Sequence, residues 1–363
     1  MKDKGTTSTL AIQAAPDEGL TLNRVTPALP SARINEYAEL KRLVKKDGLL
    51  EKQPAYYTTR IIIVAGLVAL GIVILLTVNN FWLQLLNAVY LAFVFGQIGL
   101  LGHEAGHRQM FHTVWKHDLV SLIGGNLLIG MGYSWWLDKH NNHHSHPNQV
   151  DLDPDIEIPF LDFTGREDLQ SMGKFNQFLV KYQAILFLPA LMTVSLGLQA
   201  NTVRFLLNNK VKYRVLEAGL IIAHFLLYFG VLFYRFPWWQ AALFIIIHQA
   251  LTGLYLGSIF APNHKGMPVL DTDTPMDFLR RQVLTARNIK SHPLTDFWYG
   301  GLNYQIEHHL FPAMPRNKLR AAQGIVRTFC QEHDISYHET GFLQSYKEIL
   351  QHLYEIGAPL RKS

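Results

Sequence analysis

The chain has 363 residues, 49% of them hydrophobic and only 17% charged, which is more apolar and less charged than an ordinary soluble domain. The net charge of +5 is mild, and the Lys and Arg residues cluster beside apolar segments instead of forming a basic face, so nucleic acid is not an expected partner. A single cysteine, Cys330, excludes an intramolecular disulfide and any thiolate cluster.

Residues 1–33 are polar, carry Pro16, Pro27 and Pro30, and lack the early apolar core of a signal peptide; a disordered tail is expected. Residues 34–57 form an amphipathic lead-in, where Leu40, Leu43 and Val44 recur between Lys41, Arg42, Lys45 and Lys46. The nearly uncharged segments 58–78 and 81–101 are each long enough to cross a bilayer, and the turn at 77–80 (TVNN) makes them a hairpin. Basic residues before the hairpin (Lys41, Arg42, Lys45, Lys46, Lys52) and after it (Arg108, Lys116) place both outer ends in the cytoplasm. Residues 117–137 are apolar but rich in glycine, which predicts an interfacial or re-entrant element. Three apolar stretches follow at 182–199, 215–234 and 238–260. Histidine groups before and after them can act together only if an even number of crossings lies between. Pro189 interrupts the first stretch and Arg204, Lys210, Lys212 and Arg214 follow it, so it is expected at the interface. The second hairpin is then 215–234 with 238–260. The predicted class is an all-α integral membrane protein, with about four transmembrane helices in two hairpins and a cytoplasmic helical cap. Its membrane domain covers 58–312, and 313–363 forms a helical cytoplasmic segment.

The 17 histidines are grouped. His103 and His107, at i and i+4, share a helical face and can reach one ion. In HNNHHSH, His140 and His144 repeat that spacing and His143 adds an i+3 neighbour. His264 directly follows the last apolar stretch. The adjacent His308 and His309 point in different directions on a helix, which suits reaching out to two centres. These eight imidazoles exceed the three or so protein ligands of one catalytic ion and imply two. The set is rich in nitrogen, and imidazole suits iron, zinc, copper and nickel alike, so the ligands alone do not name the metal. His224 and His248, each alone within a span, are expected to be packing residues. His112, His117, His146 and His292 fit the i+3/i+4 geometry less well; His112 and His146 stand as candidates for weak ligation or for orienting a ligand.

Three boxes, H-x-x-x-H (103–107), H-x-x-H-H (140–144) and Q-x-x-H-H (305–309), sit within the longer blocks HNNHHSHPN, DLDPDIE and GGLNYQIEHHLFPAMPR. In these blocks the chain resembles the membrane fatty acid desaturases from about residue 60 to 345. The resemblance implies a non-haem centre of two irons that uses O₂ and two electrons, ultimately from NAD(P)H, to remove two hydrogens from a fatty acyl chain on CoA or in a lipid. It carries over His103, His107, His140, His143, His144, His308 and His309 as iron ligands, and His264 as a further one. Gln305 replaces the first histidine of the third box, a departure typical of the front-end branch, and is expected to ligate weakly or to hydrogen-bond near the iron. Many front-end enzymes carry a fused cytochrome b5 domain marked by H-P-G-G. That motif is absent here, so a separate electron-transfer protein is expected: a ferredoxin, a cytochrome b5 or an oxygenase-type reductase.

An apolar tunnel at the membrane face would fix which carbon meets the iron, because proximity decides the position of reaction. Tyr133, Trp135 and Trp136, just before the second box, are candidate walls, with anchoring at the interface as their other role. Asp153 and Asp155 in DLDPDIE are candidates to hold a histidine, since the stretch lacks the glycine and terminal glutamate of a calcium loop. Three rival readings exist. His103-Glu104-x-x-His107 matches the HExxH pattern of zinc peptidases, but a protease needs one further ligand and still leaves five grouped histidines without a role; in the two-ion reading Glu104 orients a ligand or is a polar residue at a helix end. A fatty-acyl hydroxylase or alkane monooxygenase shares the boxes. A metal or haem transporter would string its histidines along the spans instead of gathering them at one face. A multi-pass protein is expected, in the plasma membrane if the source is bacterial, with the site and both termini cytoplasmic.

Overall fold

The computed structural model describes residues 10–13, 21–24, 30–158, 161–166 and 168–362. Within the stretch expected to be disordered, β1 (Leu10–Gln13) and β2 (Thr21–Arg24) pair antiparallel, an arrangement of marginal stability on its own. The rest of 1–29 lies outside the described residues.

Helix α1 (Pro30–Lys46) begins inside the stretch expected to be disordered and covers only the first part of the 34–57 segment; it buries Leu40 and Val44 and exposes Lys41, Arg42, Lys45 and Lys46. α2 (Pro54–Thr77) and α3 (Phe81–Gly106) form the first hairpin. Asn80 caps α3 by accepting from the Leu83 amide, and Gln84 and Asn87 donate back to carbonyls of α2. The glycine-rich stretch is not one of the long apolar helices. It divides into α4 (Val114–Ser121), a π-helical turn over Leu122–Ile129 and α5 (Tyr133–Ser145), with Gly130 left-handed at φ 74° between the last two.

After β3 (Glu157–Ile158) and β4 (Leu161–Asp162) come α6 (Lys174–Lys181), α7 (Gln183–Leu191) and α8 (Val194–Asn208). α7 and α8 are bent by 71° where they meet. Gly253 permits the close approach there: a Cβ on it would lie 2.6 Å from the Met192 carbonyl oxygen. Gly253 is eleven residues before His264 on one helix, or about 16 Å along its axis at 1.5 Å per residue, roughly half a hydrocarbon core of about 30 Å. The break thus lies just after Pro189, about half a hydrocarbon core from the histidine end of α10.

α9 (Arg214–Arg235) and α10 (Trp238–His264) make the second hairpin, so among the described residues four helices are long and apolar enough to cross a membrane. α3 and α10 are the inner pair and run parallel. Gly96 lies against the Tyr255 ring, where an added Cβ would come within 2.0 Å, and Gln97 donates to the Tyr255 hydroxyl at 2.7 Å. α2 and α9 are outer, and turn Ile62, Ile72, Leu226 and Leu227 outward. His224 and His248 fill their expected packing roles: His224 Nδ1 meets the Leu127 carbonyl, and His248 Nδ1 the Tyr228 hydroxyl at 2.8 Å.

α11 (Phe278–Leu284), β5 (Asn288–Ile289), α12 (Pro293–Tyr299), α13 (Gln305–Leu310), α14 (Leu319–Glu332), β6 (Glu339–Thr340), α15 (Phe342–Ile356) and α16 (Ala358–Lys362) complete the chain. Leu319, Ala322, Val326 and Phe329 of α14 share one core with Leu40 and Val44 of α1 and Leu310 of α13. Ile349 and Leu353 of α15 pack with Phe187 and Leu191 of α7. The C-terminal helices thus close over the same ends of α3 and α10 that carry histidines.

Candidate metal centre

α3 continues beyond its apolar stretch to Gly106 and brings His103 to its last turn, with His107 capping it. α10 likewise continues to His264. Because these spans are parallel, both sets of imidazoles emerge at one end of the bundle, where α5 and α13 meet them.

The eight histidines divide into two groups. In the first, ring nitrogens of His103, His107, His140, His144 and His308 all lie within 4.8 Å of one another; in the second, those of His143, His264 and His309 do. His140 Nε2 is 3.1 Å from His103 Nε2, 2.8 Å from His107 Nε2 and 3.1 Å from His144 Nε2. His264 Nε2 and His309 Nε2 are 3.1 Å apart. The adjacent His308 and His309 do serve different groups, as expected. His143 departs from expectation: it leaves the face of His140 and His144 and joins the second group, because one residue's rotation of about 100° is enough to turn its ring to the other side. The groups abut, with the His144 and His309 rings stacked at 4.2 Å.

The second group shows how the rings are oriented. His143 Nδ1 lies 3.0 Å from both oxygens of Asp153, His264 Nδ1 3.0 Å from the Thr285 carbonyl and His309 Nδ1 2.8 Å from Gln282 Oε1. Each acceptor fixes the proton on Nδ1 and leaves Nε2 as a lone pair. Lone pairs of His264 and His309 facing each other at 3.1 Å repel unless a cation lies between them. Both ring nitrogens of His308 are buried with no hydrogen-bond partner among the described residues. Imidazole nitrogens bind divalent transition metals at about 2.0–2.1 Å, which sets neighbouring ligands about 3 Å apart, the separation seen here. The residues fit two metal ions. Burial, reinforced by neighbouring imidazoles, holds His107, His140, His144, His308 and His309 well below the usual histidine range, so they stand as neutral ligands at neutral pH.

Gln305 lies between centre and scaffold: its amide nitrogen is 2.9 Å from His264 Nε2, and its oxygen accepts from Asn263 at 3.0 Å. Asp153 also accepts from the amides of Asn148 and Asp155; burial opposes its charge, but His143 holds its carboxyl below the usual range. Asp155 is 3.4 Å from His143 and pairs with Lys139. Glu104 stands apart. One position along α3 from His103, it turns away from the histidines to Arg316, whose Nη1 is 3.4 Å from its Oε1. His112 is exposed and His146 caps α5; neither joins a group.

Of the three aromatic candidates, Trp136 reaches the centre. Its ring stacks on His140 at 4.4 Å and meets His103 edge-on at 5.5 Å. Trp135 is buried, and Tyr133 donates to Asp118 at 2.7 Å. Sequence reasoning missed Gln282 and Thr285, whose distance from the boxes left no local signal. It also missed Glu217, a fully buried carboxylate that accepts from Asn126 Nδ2 and the Ser134 amide, each at 3.1 Å, and so anchors the start of α5. An acidic residue opening an apolar segment is a usable signal, since buried charge in a membrane protein needs partners.

A Fatty acid desaturase family model matches residues 80–341. A Delta(6)-fatty-acid desaturase of Caenorhabditis elegans is 30% identical over 347 residues, covering 91% of this chain and 76% of the other. An Acyl-lipid (9-3)-desaturase of Physcomitrium patens is 28% identical over 334 residues, covering 89% of this chain but only 63% of the moss protein's length. A Delta(8)-fatty-acid desaturase of Arabidopsis thaliana is 29% identical over 331 residues, covering 85% and 72%. With a metal-compatible histidine centre at one end of four apolar helices and a family match across most of its length, the chain belongs to the fatty acid desaturase family.

Proposed function

We propose that this protein introduces a cis double bond into a fatty acyl chain, carried on CoA or in a lipid, at two irons held by the eight grouped histidines. The observation that carries this reading is the division of those histidines into five and three, with the Nε2 lone pairs of His264 and His309 facing each other. His103, His107, His140, His144 and His308 hold one iron; His143, His264 and His309 hold the other, with Gln305 beside it. The irons supply the oxidising power of O₂, reduced by two electrons, that an unactivated methylene requires. The protein's own part is to hold the ligands. Asp153, Thr285 and Gln282 fix three rings, and neutral imidazoles add no negative charge to ferrous iron. Trp136 covers His140 and supplies an apolar wall for the acyl chain, where positioning selects the carbon that reacts.

Electrons come from a separate carrier protein: a ferredoxin, a cytochrome b5 or an oxygenase-type reductase. The site and both termini face the cytoplasm, on the side that Lys41, Arg42, Lys45 and Lys46 mark. Expression of the whole chain in a host that lacks the product, followed by fatty acid profiling, tests the reading. A new double bond is expected, and its appearance first in the lipid or in the CoA pool identifies the carrier. His309→Ala should abolish the product and leave membrane insertion intact. The purified protein should hold near two irons per chain. A single zinc would sink the proposal, and a hydroxylated product would reassign the centre to oxygen insertion.

A further inference from the structure

The C-terminal segment is built into the support of both histidine groups. Residues 287–289 are the junction. The Arg287 amide donates to the Asn263 carbonyl at 2.9 Å, and the buried guanidinium caps the end of α10, with Nε on the Pro262 carbonyl and Nη2 on the Lys265 carbonyl. These carbonyls flank His264. The remaining nitrogen of Arg287, a side chain with no solvent exposure, pairs with Glu348 of α15. Asn288 serves the other group of contacts: its Oδ1 accepts from the Ile306 amide at 2.9 Å, and its Nδ2 donates to Glu307 at 2.7 Å. Glu307, fully buried inside the third box, takes its second hydrogen bond from the Tyr337 hydroxyl at 2.8 Å. β5 then pairs in parallel with β6, Asn288 opposite Glu339 and Ile289 opposite Thr340.

We propose that Tyr337 and Glu348 are positioning residues for the metal centre, Tyr337 acting through Glu307 on α13 and Glu348 acting through Arg287 on the end of α10. The two contacts have different reach. α13 carries one ligand of each group, His308 and His309, whereas the end of α10 carries only His264 of the group of three. Loosening Tyr337 therefore disturbs both ions, whereas loosening Glu348, which also meets His338 and Thr340 beside β5, falls first on His264 and its ion. The inference rests on the reading that the histidines hold two irons.

The test is release of iron to a strong chelator, followed in time on the full-length, iron-loaded protein in detergent. Tyr337→Phe removes only the hydroxyl, and Glu348→Gln keeps the shape and removes the charge. Loss of contacts that orient metal ligands lowers metal affinity about 10–100-fold. Tyr337→Phe should release both irons at least about tenfold faster than the unmodified protein; Glu348→Gln should accelerate about one iron and leave the other unchanged. Arg327→Gln is the control, because Arg327 pairs with Glu339 and lies over the Tyr337 ring without touching Glu307; it should release iron at the unmodified rate. Unchanged release from both variants overturns the proposal, as does collapse of both on gel filtration, which would show a purely structural role. Equal acceleration of both irons by Glu348→Gln overturns its assignment to α10. Absence of iron from the unmodified protein sinks the two-iron reading and this inference together. Two irons lost in His309→Ala but held normally by both variants sinks this inference alone.

Discussion

Gly106 offers a sharp perturbation of the centre, because it lies between the two ligands of the first box and in contact with the ring that covers the second. A Cβ at Gly106 would come within 2.0 Å of Trp136 Cζ3, 2.8 Å of Cη2 and 3.0 Å of Cε3. Carbon atoms rest about 3.5–4.0 Å apart, so the indole must retreat by about 1.5 Å. Its retreat is opposed by the stack on His140 at 4.4 Å and the edge contacts to His103 and His107 at 5.5 and 5.9 Å. Overpacking of this kind costs about 1–3 kcal/mol, against about 0.5–1 kcal/mol regained by placing alanine for glycine in a helix. The net penalty in Gly106→Ala lies between about 0 and 2.5 kcal/mol, with a middle value of about 1.3 kcal/mol, delivered to His140. If it falls on metal binding, it weakens affinity about tenfold, since 1.4 kcal/mol is a factor of ten. Gly102, one turn earlier, has nothing within 4 Å of its added Cβ, so Gly102→Ala is a matched control expected to be neutral or mildly stabilising. Iron content, product yield and thermal unfolding of the two variants, measured in parallel, decide the matter. Unaltered iron and product in Gly106→Ala, or equal damage in Gly102→Ala, would refute the reasoning.

Asp153→Asn keeps one acceptor oxygen, enough for only one of the Asn148 and Asp155 amides, and removes the charge facing His143, so iron affinity should fall about 10–100-fold; unchanged affinity in a chelator titration would count against Asp153 as the orienting partner. Glu217→Leu strands Asn126 Nδ2 and the Ser134 amide, at about 1–3 kcal/mol for each buried group left unpaired, and should lower the unfolding temperature measurably; an unshifted transition would contradict the anchoring of α5 through α9. Burial and the nearby Glu307 push the Cys330 thiol up to about 12, so its reactive thiolate is scarce below that pH and grows only as the pH approaches it. Alkylation at pH 8 should therefore be slow in the folded protein and fast in denaturant, and rapid labelling of the native state would show that α14 does not bury the residue.

Several properties were legible in residue order because they depend on local patterns. Four apolar runs report four helices able to cross a bilayer, since length and lack of charge are the whole requirement. Pro189 marked where the 182–199 stretch breaks into α7 and α8, because a proline disturbs the helix within a turn. The boxes marked which imidazoles gather, since i and i+4 share a helix face. HExxH was less informative than its neighbours: a short motif states that His103 and His107 can meet, and is silent on which way Glu104 turns.

Other properties were decided only by the tertiary structure. Parallel packing of α3 on α10, permitted by Gly96 under Tyr255, brings His264 to the same end of the bundle as His103 and His107. The packing of α5 and α13 against those ends sorts the rings into five and three, and sends His143 to the group its spacing did not suggest. Arg316, more than two hundred residues away, draws Glu104 away from the histidines. Thr285 and Gln282 fix ring protons from a loop and a helix with no motif at all. The reason is common to these cases. Ligand type is a property of a side chain and is written in residue order, whereas the sharing of one ion and the orientation of each ring are relations between distant segments, which exist only once those segments pack.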